Sequence, residues 1–162
     1  MKNIESYFNA EKQESLIFIL IGFAGLIIAT YFILKLTQPY FQGMSYPIIG
    51  IALIQLIVGS SVYFSSDKNI KRVNNLVENN VDLINTEEIP RMEKVMKNFV
   101  LYKTIEIVFI ISAILLHFIF NDKPFLKGFG LGLLVQSGFM LLLDLFAEKR
   151  GKLYLEFLRN LT

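Results

Sequence analysis

Four long apolar stretches dominate this chain of 162 residues. Each supplies about 20 residues, the length that a helix needs to cross the roughly 30 Å hydrocarbon core of a bilayer. Because a backbone in lipid must satisfy its own hydrogen bonds, such stretches fold as helices. The sequence therefore predicts an all-α integral membrane protein, a single membrane domain over residues 1–162. Its four transmembrane helices form an up-down bundle, at 15–36, 46–66, 99–120 and 125–146.

The basic residues predict how these helices are oriented. Of the 16 Lys and Arg residues, all but Lys35, Lys123 and Lys127 lie on one side of the four-segment pattern. Basic residues that flank membrane helices stay on the cytoplasmic side. We therefore expect the N- and C-termini and the connection 67–98 to be cytoplasmic, in a multi-pass protein of the cell (inner) membrane.

Composition excludes several classes of function. The chain has no Cys and one His, so disulfides, thiolate metal sites and a multi-histidine metal centre within one chain are excluded. A net charge of +2, with acids interleaved among the bases, argues against nucleic-acid binding. No metal and no cofactor are expected. The first apolar run follows several acids and exceeds the length of a signal-peptide core, so we interpret it as a retained helix.

The polar segments carry helical patterns of their own. In the connection 67–98, apolar residues recur every three or four positions, which predicts an amphipathic helix. The acids Glu87 and Glu88 ahead of Pro90 are typical of a helix start, so a second helix is expected to continue from there into the third membrane segment. The amphipathic tail 147–162 is expected either to lie in the membrane interface or to pack against the connection. An apolar stripe of Ile4, Tyr7 and Phe8 is expected along the membrane surface.

Small and uncharged polar residues within the apolar segments predict close helix contacts. Gly128 and Gly132 form a G-x-x-x-G face of the kind found at tight helix crossings. Gln55 and Gln136 lie near mid-membrane, either as an interhelical hydrogen bond or as the polar lining of a permeation path. Pro47 is expected in the first turn of the second helix, where its missing N–H costs nothing.

Charged residues within or beside the membrane segments indicate a candidate polar or ion cluster, since each is costly in lipid unless it is paired or hydrated. Alternating helix directions place them at one depth, near the cytoplasmic boundary. They bind a cation or relay protons, or else they are an ion-paired girdle that fixes the helix ends. The candidate residues are Glu14, Lys103, Glu106, Asp144 and Glu148.

Two further features have both a functional and a structural interpretation. His117, near the outer end of the third segment, is either a sensor of external pH or a hydrated interfacial side chain. The charged run before the third segment is either a docking surface for a partner or a solvated helix face. Its candidate docking residues are Glu87, Glu88, Arg91, Glu93 and Lys97.

Two classes of function are compatible with these patterns. The first is a protein that acts by contact in the membrane, as a subunit, regulator or protective partner, in a homo-oligomer or with another membrane protein. The second is an oligomeric ion channel or a proton- or cation-coupled transporter that uses Glu106 and Asp144, in at least a dimer because one four-helix bundle encloses little space. No nucleophile and base fall together, so an enzyme is disfavoured. The small four-helix multidrug exporters carry a mid-membrane carboxylate in their first helix, which this chain lacks.

Overall fold

The computed structural model describes residues 2–79 and 81–161, and this part of the chain is all-helical. A π-helical turn at Ile84–Glu88 precedes the third of four long helices. Each long helix contains a stretch long and apolar enough to cross a membrane, which confirms the four predicted segments and indicates a multi-pass membrane protein. The helices are α1 (Lys2–Lys35), α2 (Pro39–Asn79), α3 (Ile89–Ile119) and α4 (Pro124–Arg159).

All four helices are longer than a membrane is thick, and their polar extensions meet at one end. The 41 residues of α2 span about 60 Å at 1.5 Å per residue. At this end, apolar side chains from every helix and from the π-helical turn form one buried core. We call this packed end, formed by residues 2–14, 67–79, 81–98 and 147–161, the head.

The start of α2 differs from the sequence prediction. The connection between α1 and α2 shrinks to residues 36–38, and α2 begins at Pro39. Pro39 therefore takes the first-turn position, where its ring angle suits a helix and its missing N–H costs nothing. Pro47, predicted at that position, lies inside the helix and is buried there. It removes one backbone hydrogen bond, the one that would reach the carbonyl of Gly43.

The helices pack in the order α1, α2, α4, α3. The large contacts are those of α1 with α2, α2 with α4, and α4 with α3, whereas α1 and α4 touch only slightly. Lys12 meets Asp67 and, further along α1, Gly22 meets Ala52, so α1 runs opposite to α2. Lys103 meets Glu148 and, further along α3, Ala113 meets Gly130, so α3 runs opposite to α4. Gln55 meets Gln136, while nearer the helix starts Gly132 meets Met44, so α2 and α4 run in the same direction.

The tightest helix contact joins α2 and α4 at the end opposite the head. A Cβ atom built on Gly128 would overlap the carbonyl group of Tyr40, and one built on Gly43 would overlap the carbonyl group of Phe125. A Cβ on Gly132 would lie 2.5 Å from the carbonyl oxygen of Met44. The predicted G-x-x-x-G face of α4 is therefore confirmed as a close backbone contact, and α2 is the helix that it meets.

The head core contains residues that the sequence led us to expect elsewhere. Ile4, Tyr7 and Phe8 are buried in this core and do not lie along a membrane surface. The rings of Tyr7 and Tyr154 stack with centroids 4.2 Å apart, and Phe8 packs edge-on against Tyr154. The tail 147–161 therefore packs within the head, as one of its two predicted alternatives had it, because its apolar stripe finds a matching stripe on α1.

Candidate functional site

Charged side chains gather where the head joins the apolar part of the helices, and they form two separate sets. Glu14 of α1 pairs with Arg150 of α4. The other four candidate residues, Lys103, Glu106, Asp144 and Glu148, line the contact between α3 and α4. Residues 148 and 150 differ by about 200° around a helix. Glu14 of α1 therefore contacts a different face of α4 from the one that carries Glu148, and it does not join the α3–α4 cluster.

At the head-side end of the α3–α4 contact, Glu148 is held by two lysines. Lys103 donates to one of its carboxylate oxygens across the helix pair, and Lys152, one turn along α4, lies 2.9 Å from the other. The hydrogen bonds from Lys103 and Lys152 hold the pKa of Glu148 below its usual value. Glu148 is therefore an ionised, fully paired carboxylate.

One helical turn further from the head, Glu106 and Asp144 face each other. Glu106 lies three residues after Lys103 in α3, and Asp144 lies four residues before Glu148 in α4. These spacings keep both residues on the helix faces that Lys103 and Glu148 share. The two carboxyl groups are therefore neighbours across the α3–α4 contact. Both side chains are buried, with 3% of Glu106 and 8% of Asp144 exposed. We call these two residues the carboxyl pair.

No donor within the described residues satisfies the Glu106 carboxylate. Neither of its oxygens has a hydrogen-bond partner among residues 2–79 and 81–161. Lys103 lies near the pair but bonds to Glu148. A buried carboxylate without a donor loses its solvation and gains nothing in return. The carboxyl pair is therefore the part of the α3–α4 contact that the observed ion pairs leave unexplained.

A second buried acid, Glu88, lies inside the head. Its side chain is fully buried. It accepts hydrogen bonds from Arg72 and Arg91, and from the hydroxyl of Tyr154 at 3.2 Å. Burial raises the pKa of Glu88, but the hydrogen bonds and charges of Arg91 and Arg72 outweigh it and leave the pKa below its usual value. Glu88 thus ties α2, α3 and α4 together as an ionised carboxylate.

The candidate docking run divides between the inside and the surface of the head. Glu88 is buried and Arg91 bonds to it, so Glu88 is not accessible to a partner. Glu93 pairs with Arg159 at 2.7 Å and remains half exposed. Glu87 and Lys97 are exposed. What remains for docking is therefore a smaller surface that includes Glu87, Glu93 and Lys97.

The uncharged polar candidates have different surroundings. Gln55 and Gln136 are buried, and the Gln55 amide donates to the Gln136 oxygen at 3.4 Å, as the first of the two interpretations expects. Gln136 also lines an open groove of about 370 Å³ between α1 and α4, where Gly25 makes room for its amide. His117 is exposed and borders an apolar cavity of about 170 Å³ between α3 and α4.

The chain matches no family model, no curated protein and no solved structure.

Five residues of the ionic groups were not selected from the sequence: Arg72, Arg150, Lys152, Tyr154 and Arg159. In the sequence, the basic residues of this group count only among the Lys and Arg residues that predict the orientation. The signal that points to them is charge balance, because each acid near a membrane end needs a base at the same depth. Tyr154 belongs to the apolar stripe of the tail, and only its hydroxyl distinguishes it from a core residue.

Proposed function

We propose that this multi-pass protein acts by contact with a membrane protein, either a second copy of itself or another chain. The observation that carries the proposal is the head. All four helices extend into it, and its buried ion pairs and stacked rings hold the extensions in one arrangement. A body held this firmly presents its surface charges in fixed positions, which lowers the entropy cost of docking. Glu87, Glu93 and Lys97 are the surface residues that we assign to docking.

We further propose that the helices form an up-down arrangement with the head and both chain termini on the cytoplasmic side of the cell membrane. The opposite directions of α1 and α2 and of α3 and α4 support the alternation. The basic residues that flank the membrane segments support a cytoplasmic position for the head, since cytoplasmic loops carry an excess of Lys and Arg. Lys68, Lys71 and Lys94 of the head are all exposed, where such charges can act.

Two single-cysteine variants test both the contact and the orientation, because the chain has no cysteine of its own. Lys97→Cys in the head is compared with Asp122→Cys in the exposed α3–α4 turn. In intact cells a membrane-impermeant maleimide should label Asp122→Cys and leave Lys97→Cys unlabelled. In native membranes, a short thiol-to-amine crosslinker should give a discrete adduct from position 97 only, lost on charge reversal at Glu93.

The opposite labelling pattern would overturn the orientation. Equal or absent adducts at positions 97 and 122 would overturn contact through this surface of the head. An adduct with twice the mass of the chain would identify the partner as a second copy.

The carboxyl pair favours a second candidate function, ion transport in an oligomer. Glu106 and Asp144 are buried near the head end of the apolar helices, and among the described residues no Lys or Arg side chain is bonded to them. Ionisable residues in such positions are typical of proton and ion pathways.

Purified protein in liposomes should then pass protons, sodium or potassium. Glu106→Gln and Asp144→Asn should each reduce that flux to background, whereas Glu78→Gln, an exposed acid of the head, should not. Flux that survives both substitutions would remove this candidate.

A further inference from the structure

The charges at the α3–α4 contact do not balance when every carboxyl group is ionised. Glu106, Asp144 and Glu148 contribute three negative charges, and Lys103 and Lys152 contribute two positive ones. Both lysines bond to Glu148. One negative charge is therefore in excess, and it belongs to the carboxyl pair. One additional proton would make the whole group neutral.

The surroundings of the carboxyl pair make that excess charge costly. Two neighbouring carboxylates repel each other, and the repulsion is stronger where water is excluded than in water. Both side chains are buried between α3 and α4, away from water. A single proton removes the repulsion, because the protonated carboxyl group then donates an O–H to the other one. It also gives Glu106 the hydrogen bond that it otherwise lacks among the described residues.

We propose that the carboxyl pair is a binding site for one proton, shared between Glu106 and Asp144. The inference deepens the second candidate function by naming its ion: the use of the proton in transport rests on that candidate, whereas its presence does not. The step balances simply. A hydronium ion on the head side gives its proton to the pair and leaves as water, and the charge of the pair changes from two negative to one.

A metal cation fits the same position less well. Hard cations such as Ca²⁺ and Mg²⁺ take about six or more oxygen ligands. Among residues 2–79 and 81–161, no group of three or more His, Asp or Glu side chains is arranged to hold a metal ion. Among the described residues, the charged group close to both members of the pair is Lys103 of α3, which is bonded to Glu148 of α4. A proton needs only the two oxygens that the pair supplies.

The ion pair of Lys103 and Glu148 lies between the carboxyl pair and the head. It is one turn nearer to the head on both helices. The ion pair therefore separates the carboxyl pair from the head along the α3–α4 contact.

Infrared spectroscopy tests the site directly on the purified full chain in lipid vesicles. Near neutral pH the wild type should show the C=O stretching band of a protonated carboxylic acid, shifted in heavy water. Glu106→Gln and Asp144→Asn should each remove this band. Glu11→Gln, which changes a partly buried acid of the head, is the matched control and should retain it. Circular dichroism on every variant establishes that the helices persist.

Absence of the acid band in the wild type would overturn the proposal, and this arm needs no variant to fold. A band that survives Glu106→Gln and Asp144→Asn, or one that sodium chloride abolishes when choline chloride does not, would also overturn it. The result is separable from transport. An acid band without liposome flux removes transport and leaves the proton site, whereas sodium flux without the band leaves transport and removes the proton.

Discussion

Replacing Glu88 with glutamine is expected to destabilise the head by about 3 kcal/mol. Removing one partner of a buried ion pair costs about 3–5 kcal/mol, because the remaining charge stays buried without its counterion. We expect the lower end of that range, since the side chains of Arg72 and Arg91 are 34% and 33% exposed and recover some hydration. The free energy of unfolding in mild detergent, with hydrogen exchange of the head amides, measures the loss.

Glu87 provides the matched control, because it is the adjacent acid and it is exposed. Glu87→Gln should change the free energy of unfolding by no more than about 0.5 kcal/mol. Equal losses for the two variants would contradict the structural role of Glu88.

The Glu88 contribution also has a defined dependence on pH. Because the folded head holds the pKa of Glu88 below its ordinary value of 4.5, this stabilisation is fully present above that value. It is lost as the pH falls through the lower pKa of the folded state. Glu88→Gln should therefore flatten this part of the acid stability profile of the wild type.

Replacing Gly128 with alanine is expected to force α2 and α4 apart at the end opposite the head. The added methyl group would overlap the carbonyl group of Tyr40, and a helix backbone cannot move aside as a side chain can. Overpacking costs about 1–3 kcal/mol, and we expect the upper end here. Thermal unfolding in detergent measures the change. Gly43→Ala should have a similar effect, and the double variant should lose less than the sum because both substitutions separate the same two backbones.

Gly138 is the matched control on the same helix, since a Cβ there meets nothing within 4 Å. Gly138→Ala should be neutral or stabilising by up to about 1 kcal/mol, because alanine favours a helix. A Gly128→Ala variant as stable as Gly138→Ala would show that the tight crossing does not hold the two helices together.

The sequence predicted what depends on local composition. The four membrane segments follow from the length of their apolar runs, and the close contact at Gly128 and Gly132 follows from the spacing of two small residues. The bond between Gln55 and Gln136 was one of two interpretations, because two buried amides at similar depth need partners. In each case the prediction uses residues within one helix, or it compares how deep in the membrane two residues of different helices lie.

The sequence did not predict which helix faces meet. Glu14 and Glu148 lie at similar depth. Depth alone does not reveal that Glu14 of α1 packs against a face of α4 other than the one that carries Glu148. Ile4, Tyr7 and Phe8 form a stripe that suits a lipid surface as well as a protein core, and only Tyr154 and its neighbours decide between them. Glu88 has the local pattern of a helix start, and its burial depends on Arg72 in another helix. Pairings between distant segments cannot be inferred from periodicity alone.

The composition of the head core has a consequence for biogenesis. Ile4 and Phe8 leave the ribosome well before Tyr154 and Leu158, which belong to the same core. During synthesis these early side chains have no complete core to enter until α4 has been inserted. The head therefore closes only after every membrane segment has been inserted correctly. A chain arrested before α4 leaves the apolar and aromatic side chains of α1 exposed to chaperones and proteases.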